Sequence, residues 1–381
     1  MMGILVTATD SWALWALLLL CAAAGFWFEK TYAGARVSGP IITMLLAFAL
    51  SNAGVIPAQS AVYDTIWRYL LLLAIPLLLF QANIKQIFSE SGKTLLAFLL
   101  GLLGVLIGVL LAYWLIPVGK SDWQVAAVFT AQFIGGPENY NQVAGSLSLN
   151  NKTLLEGGKA AIHLVFVFYF IILFLLVSIR TLRMQFKEAL TDRWGPTVVV
   201  VVDETRKGSS IYVPTLSTGL ALSAAICALG VWAESVLNWQ GAAILIITVV
   251  SVILALALPR AMARIEGSNE FGILLMQLLF AVVGASANVS VVAKSAPVLL
   301  AVAVIIVVVH LLFVILVGRW LKLSLPEIVI ASNAAIGGPL TVAAMTSARR
   351  WHHLVVPAVL YGTIGYAIAN YIALWLGNWL K

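Results

Sequence analysis

The sequence predicts an all-α polytopic membrane protein. It reads as two inverted repeats of five spans, each with a Gly-Gly-Pro broken re-entrant hairpin. Three observations predict this fold class. Of the 381 residues, 62% are apolar and 10% are charged, against about 45–50% and 25% in an ordinary soluble domain. Ten apolar runs have crossing length, since a helix needs about 20 such residues to pass ~30 Å of hydrocarbon. Two further apolar segments are broken in the middle by the same four residues, Ile134-Gly135-Gly136-Pro137 and Ile336-Gly337-Gly338-Pro339, at an offset of 202.

The composition excludes an ordinary soluble enzyme, a disordered tail and a nucleic-acid binder that works through dense basic patches. Two cysteines, Cys21 and Cys227, lie inside apolar runs and exclude a disulfide framework or a cysteine-rich metal site. The formal charge of +7 reads as a topology signal rather than a polyanion site. The partners expected are the lipid bilayer and a small-molecule substrate, with no nucleic acid.

In chain order, the runs lie at 11–28, 37–56, 66–84, 94–117 and 154–179, then at 212–237, 241–259, 271–289, 297–318 and 353–379. Asp10 precedes the first, with no basic segment before it, so it reads as a span rather than a cleaved signal. The first repeat covers 1–179 with its hairpin at 122–150. The second covers 212–381 with its hairpin at 325–348. Between them, 180–211 carries Arg180, Arg183, Lys187, Arg193, Arg206 and Lys207 and reads as a linker. Aligning the two breaks sets Thr130 opposite Ser332 and Gly145 opposite Ser347. A weaker echo pairs Ala82-Asn83-Ile84 with Ala287-Asn288-Val289.

The basic residues decide between crossing and re-entry. If both broken segments turn back and the N-terminus is outside, only Arg68, Lys120, Lys152, Lys159, Lys294 and Lys381 of the 22 basic residues fall outside or at the outer edge. The other sixteen are cytoplasmic, as the positive-inside rule requires. If both segments crossed, one half of the protein would largely violate that rule. The expected location is the inner (plasma) membrane, with both termini external and the linker cytoplasmic. Five spans per half is odd, so the second half is inverted.

The segments Phe133–Asn139 and Ala331–Thr341 resemble those of the YjcL-like family of uncharacterised bacterial and plastid membrane proteins. The closing span, with Pro357, Gly362, Gly365 and Tyr366, is similar to that family too. The resemblance places the chain with the cation/proton antiporter and anion transporter superfamily, beside glutamate/sodium and citrate/sodium symporters. It implies an inverted-repeat secondary carrier, elevator-like, working as a homodimer.

Backbone broken inside a bilayer leaves polar groups that cost several kcal/mol each unless satisfied, so such breaks line a cavity or bind a ligand. Gly135, Gly136, Gly337 and Gly338 permit close approach of a ligand, and Pro137 and Pro339 suit the first position of a returning half-helix. After Pro137 come Glu138, Asn139, Asn141 and Gln142, a carboxylate with three carboxamides. An intramembrane carboxylate is a functional expectation; as a mere helix cap it would contribute only ~0.3–1 kcal/mol. This group is assigned to a coupling ion, Na+ or H+, with Asn83 and Asn288 as further ligands. The second tip has no acid, so its positive helix end is free for an anion. Ser332, Asn333, Gly337, Gly338 and Thr341, with Gly135 and Gly136, are assigned to substrate. His163 and His310 read as satisfied core histidines, and Trp232, Trp375 and Trp379 as interfacial anchors.

The function expected is an ion-coupled secondary transporter of a small organic anion or amino acid by alternating access. The alternative is a cation/proton antiporter. An enzyme is not expected, since no zinc-protease helix, paired membrane aspartates or Ser/His pair is present. No cofactor or bound metal centre is expected either. A channel fits poorly with hairpins entering from opposite faces.

Overall fold

A computed structural model describes residues 5–31, 37–80, 84–179, 186, 212–239, 242–295, 297–349 and 351–381. The first half runs α1 (Ser11–Glu29), α2 (Gly39–Asn52), α3 (Ala61–Leu79), α4 (Ile84–Leu115), α5 (Asp122–Ser146) and α6 (Lys152–Ser178). The second runs α7 (Val213–Leu237), α8 (Ala242–Ala257), the short α9 (Pro259–Ala263), α10 (Ser268–Ser286), α11 (Val289–Ser295), α12 (Pro297–Trp320), α13 (Leu325–Ile336), α14 (Gly338–Ala348) and α15 (His352–Leu380). Among the described residues no strand occurs. Of the linker 180–211, only Phe186 lies among the described residues, and Asn83 lies outside them.

Eight helices are long and apolar enough to cross a bilayer among the described residues. The expected spans 37–56 and 241–259 differ. They form α2 and α8, of 14 and 16 residues, which are about 21 and 24 Å long at 1.5 Å per residue. After α2 the chain turns at Gly54, φ 75°, and the Val55 amide donates back to the Leu50 carbonyl at 2.9 Å. Pro259 begins the next short helix after α8, since proline cannot donate to a preceding turn. Both short helices stand at the second place of their half.

The broken segments double back. In α5 the Gln124 side-chain amide donates to the Leu147 carbonyl at 2.9 Å. An unbroken helix would hold those residues about 34 Å apart. The reversal lies at Gly136, φ 78° and ψ −172°. In the second half it lies at Gly338, φ 79°. There Asn333 reaches the Thr341 carbonyl at 3.2 Å and the Met345 sulfur at 3.5 Å.

Helix faces divide cleanly. On α12, Val304, Val308, Leu312 and Leu316 are exposed at intervals of four, while Ile306, His310 and Val314 are fully buried. That stripe suits lipid contact outside and helix packing inside. α4 and α12 pack against each other, and a methyl added at Gly108 would lie 2.7 Å from the Ile306 carbonyl oxygen. Buried polar bonds tie α10 to the first half: Gln277 donates to the Thr43 hydroxyl at 2.6 Å, and Thr43 to the Cys21 carbonyl at 3.1 Å.

At Gly284 a methyl would run into the Met44 backbone carbonyl of α2. Backbone cannot move aside as a flexible side chain does, so Gly284→Ala should destabilise by roughly 1–3 kcal/mol. Thermal unfolding in detergent should show a lower midpoint for it than for wild type, whereas Gly92→Ala, where the space is open, should match wild type.

Candidate functional site

The two breaks meet on one residue of the closing helix. α15 packs against α5, α13 and α14, and it presents Gly362, Gly365, Tyr366 and Ala369 to them. A methyl added at Gly136 would lie 2.6 Å from the Tyr366 hydroxyl oxygen, and one added at Gly338 equally 2.6 Å from the same atom. Gly362 fits under Pro339, whose nitrogen would lie 2.7 Å from an added methyl. Gly365 faces the Ile134 carbonyl at 3.1 Å by the same measure. Small residues on α15 thus admit both reversals, and the Tyr366 ring lies against each.

At the first tip, Gly135, Gly136 and Asn139 are buried, whereas Glu138, Asn141 and Gln142 are exposed. The Asn139 amide donates to the Gly135 carbonyl and, at 3.3 Å, to the Tyr366 carbonyl. Asn370 donates to the Gln142 side-chain oxygen at 2.6 Å. The Glu138 carboxylate is an electrostatic neighbour of the Tyr366 phenol.

The second tip is enclosed by protein. Asn333 and Thr341 clasp it: the Thr341 hydroxyl lies 3.0 Å from the Asn333 side-chain oxygen and 3.1 Å from the Gly338 carbonyl, which share its one proton. Among the described residues no side chain caps the N-terminus of α14, so its first amides keep the partial positive charge of a helix end. The start of α13 is fixed by a capping box. The Ser324 amide donates to the Glu327 carboxylate at 2.8 Å, and the Glu327 amide to the Ser324 hydroxyl at 3.3 Å. Glu327 is buried and Glu138 is exposed.

Ser332 lies inside a polar chain. The Gly101 carbonyl, 3.0 Å from His310 Nδ1, can only accept, so Nδ1 carries the proton in the neutral ring. His310 Nε2 then accepts from the Ser332 hydroxyl at 2.8 Å, and Ser332 accepts from the Tyr169 hydroxyl at 2.9 Å. This chain joins α4, α6, α12 and α13. It makes His310 a satisfied core histidine. Asn288 stands at the break between α10 and α11, where its side-chain oxygen accepts from the Ser290 amide at 3.0 Å. Asn52 closes the same break, donating to the Ala287 carbonyl at 2.9 Å and accepting from the Val289 amide at 2.8 Å.

Among the described residues no group of three or more His, Cys, Asp or Glu side chains converges. The chemistry available where the tips meet is therefore that of amide, hydroxyl and backbone groups with one nearby carboxylate. Tyr366 and Asn370 were not predicted as site residues. Their signal in the sequence is slight: two polar residues one turn apart within an apolar closing span.

The chain is 32% identical, over 395 residues, to an uncharacterised membrane protein, YjcL, of Bacillus subtilis (strain 168). The match covers 99% of this chain and 98% of that relative. A family described as "Protein of unknown function (DUF819)" matches residues 16–381. Both agree with the family resemblance carried by the Gly-Gly-Pro segments. With its apolar helices of crossing length, the chain is a multi-pass membrane protein and belongs to the DUF819 family of proteins of unknown function.

Proposed function

We propose that this protein is an ion-coupled secondary transporter of a small organic anion or amino acid, and not an enzyme. The observation that carries the reading is the meeting of two broken helices, one from each half of the chain, on the single side chain of Tyr366. Gly/Pro-interrupted segments at matching places in two halves are the pattern of alternating-access carriers. In this reading the doubled-back segments are re-entrant hairpins entering from opposite faces, and the halves are inverted repeats. The protein works as an elevator-like homodimer in the inner membrane, with both termini external and the 180–211 linker cytoplasmic. Its superfamily is that of the cation/proton antiporters and anion transporters.

The tips divide the work by charge. Glu138, with Asn139, Asn141 and Gln142, holds the coupling cation, because a carboxylate in the first turn offsets the positive helix end. The uncapped N-terminus of α14 receives the anionic group of the substrate. The ring of Tyr366, against both glycine breaks, corresponds to an occluded arrangement that must move before solute enters.

One observation favours a second reading. The exposed carboxylate of Glu138 beside Tyr366 suits a group that exchanges a proton for a cation, as a cation/proton antiporter requires. Proteoliposomes loaded with a pH-sensitive dye separate the two. On adding Na+ or K+ without organic solute, a symporter leaves the dye signal unchanged, whereas an antiporter moves it.

A further inference from the structure

We infer that an alkali-metal cation binds in the seam between the returning half of α5 and the closing helix α15, with Asn139 and Asn370 as its amide-oxygen ligands. The inference deepens the carrier reading, on which it rests for its purpose: it names the class of the coupling ion and adds a ligand from α15. Its starting point is two buried oxygens without a hydrogen-bond donor among the described residues, Asn139 Oδ1 and Asn370 Oδ1. Asn139 is only 1% exposed. A buried acceptor left alone costs roughly 1–3 kcal/mol, so the fully buried Asn139 oxygen, with the half-buried Asn370 beside it, is open to a ligand.

The partners of Asn139 fix which end of its amide is free, and Asn370 leaves its oxygen free in the orientation in which its nitrogen donates to Gln142. Asn139 Nδ2 donates to the carbonyls of Gly135 and Tyr366, and Asn370 Nδ2 to Gln142 Oε1. Both Gly135 and Tyr366 offer carbonyls, so a flipped Asn139 would oppose oxygen to oxygen. Asn139 and Gln142 lie one turn apart on α5, and Tyr366 and Asn370 one turn apart on α15. The two cross-bonds, 139 to 366 and 142 to 370, therefore place both asparagine side chains in one stretch of seam, about one 5.4 Å turn long.

The chemistry of these groups selects the ion. Amide oxygens do not take up a proton near neutral pH, which excludes H+ as their ligand. An anion is repelled by acceptor oxygens and by the carboxylate of Glu138 one residue away. A single carboxylate is too little for Ca2+, which takes 6–8 oxygens and usually several carboxylates, and an alkali cation needs less charge. The cation would also lock the first tip to the helix that carries Tyr366, so its arrival bears on the second tip through that ring.

The test is cation binding by the purified full-length protein in detergent. NaCl or KCl is titrated against choline chloride at constant ionic strength and read by melting temperature and by fluorescence of the 13 tryptophans. One alkali ion should raise the melting temperature saturably over choline. Asn370→Ala should weaken that ion about tenfold or more, the equivalent of ~1.4 kcal/mol, while Asn370→Asp, which keeps an oxygen, should retain it. If neither ion exceeds choline, the oxygens are satisfied by water and the inference falls. If Asn370→Ala titrates as wild type, the site is elsewhere. Folding is checked by the Asp variant, and transport is not part of the readout, so the carrier reading stands or falls separately.

Discussion

Gly338→Ala should abolish solute-driven current in proteoliposomes, and Gly136→Ala should reduce it severely. Each glycine has a positive φ, 79° and 78°, where a side chain costs roughly 1–2 kcal/mol. Each added methyl would also lie 2.6 Å from the hydroxyl oxygen of Tyr366. The two sites differ in what else they meet. At Gly136 the next ring atom is the ζ carbon at 2.9 Å, whereas at Gly338 that carbon is only 2.7 Å away. Removing the hydroxyl with Tyr366→Phe should therefore restore part of the folded yield to Gly136→Ala and little to Gly338→Ala. Size-exclusion profiles of the two double variants check this directly. No rescue at either position would show that backbone strain, and not the ring, is decisive.

Glu138→Gln should abolish coupling or shift its pH dependence while leaving some solute binding, because it removes the acid that lies beside Tyr366 and keeps the shape. Thr341→Val and Asn333→Ala should instead weaken solute binding with ion binding largely intact. The structure adds a second effect for these two. Thr341 and Asn333 clasp the hairpin at 3.0 Å and 3.2 Å, so losing either partner leaves a buried polar group unpaired at roughly 1–3 kcal/mol. Both should then melt earlier than wild type, and Glu138→Gln, with its exposed side chain, should not. Melting curves beside transport assays separate the losses. Glu138→Gln with unchanged ion dependence would reduce that residue to a helix cap.

Much of the fold was legible because membrane spans announce themselves by length. The ten runs account for the eight long helices and two shorter ones. The shortening of α2 and α8 was not legible, since apolar residues continue past the turn at Gly54 and up to the proline at Pro259. The breaks were legible because Gly-Gly-Pro inside an apolar segment has few other uses. Less visible was which polar side chains are free. Ser332, Asn333 and Thr341 are assigned to substrate from the sequence, and in the structure their hydroxyl and amide groups also join the two broken halves and a buried histidine. That engagement depends on Tyr169 and His310, which lie 163 and 22 residues from Ser332 in sequence. The Ser324-Leu-Pro-Glu327 capping box, seen only in the structure, gives the buried Glu327 carboxylate its backbone partner. Tyr366 and Asn370 were hidden for the opposite reason. Only folding brings α15 across both tips, and nothing in their local pattern separates them from interfacial polar residues.

The most direct test of the carrier reading is electrical. Proteoliposomes of wild type and of Gly338→Ala are adsorbed on a solid-supported membrane and exposed to mixtures of small carboxylates and amino acids, with and without an inward Na+ gradient. The reading predicts a transient current in wild type that needs both solute and cation and is lost in the variant. A steady conductance without solute, or solute movement indifferent to every ion gradient, would contradict it.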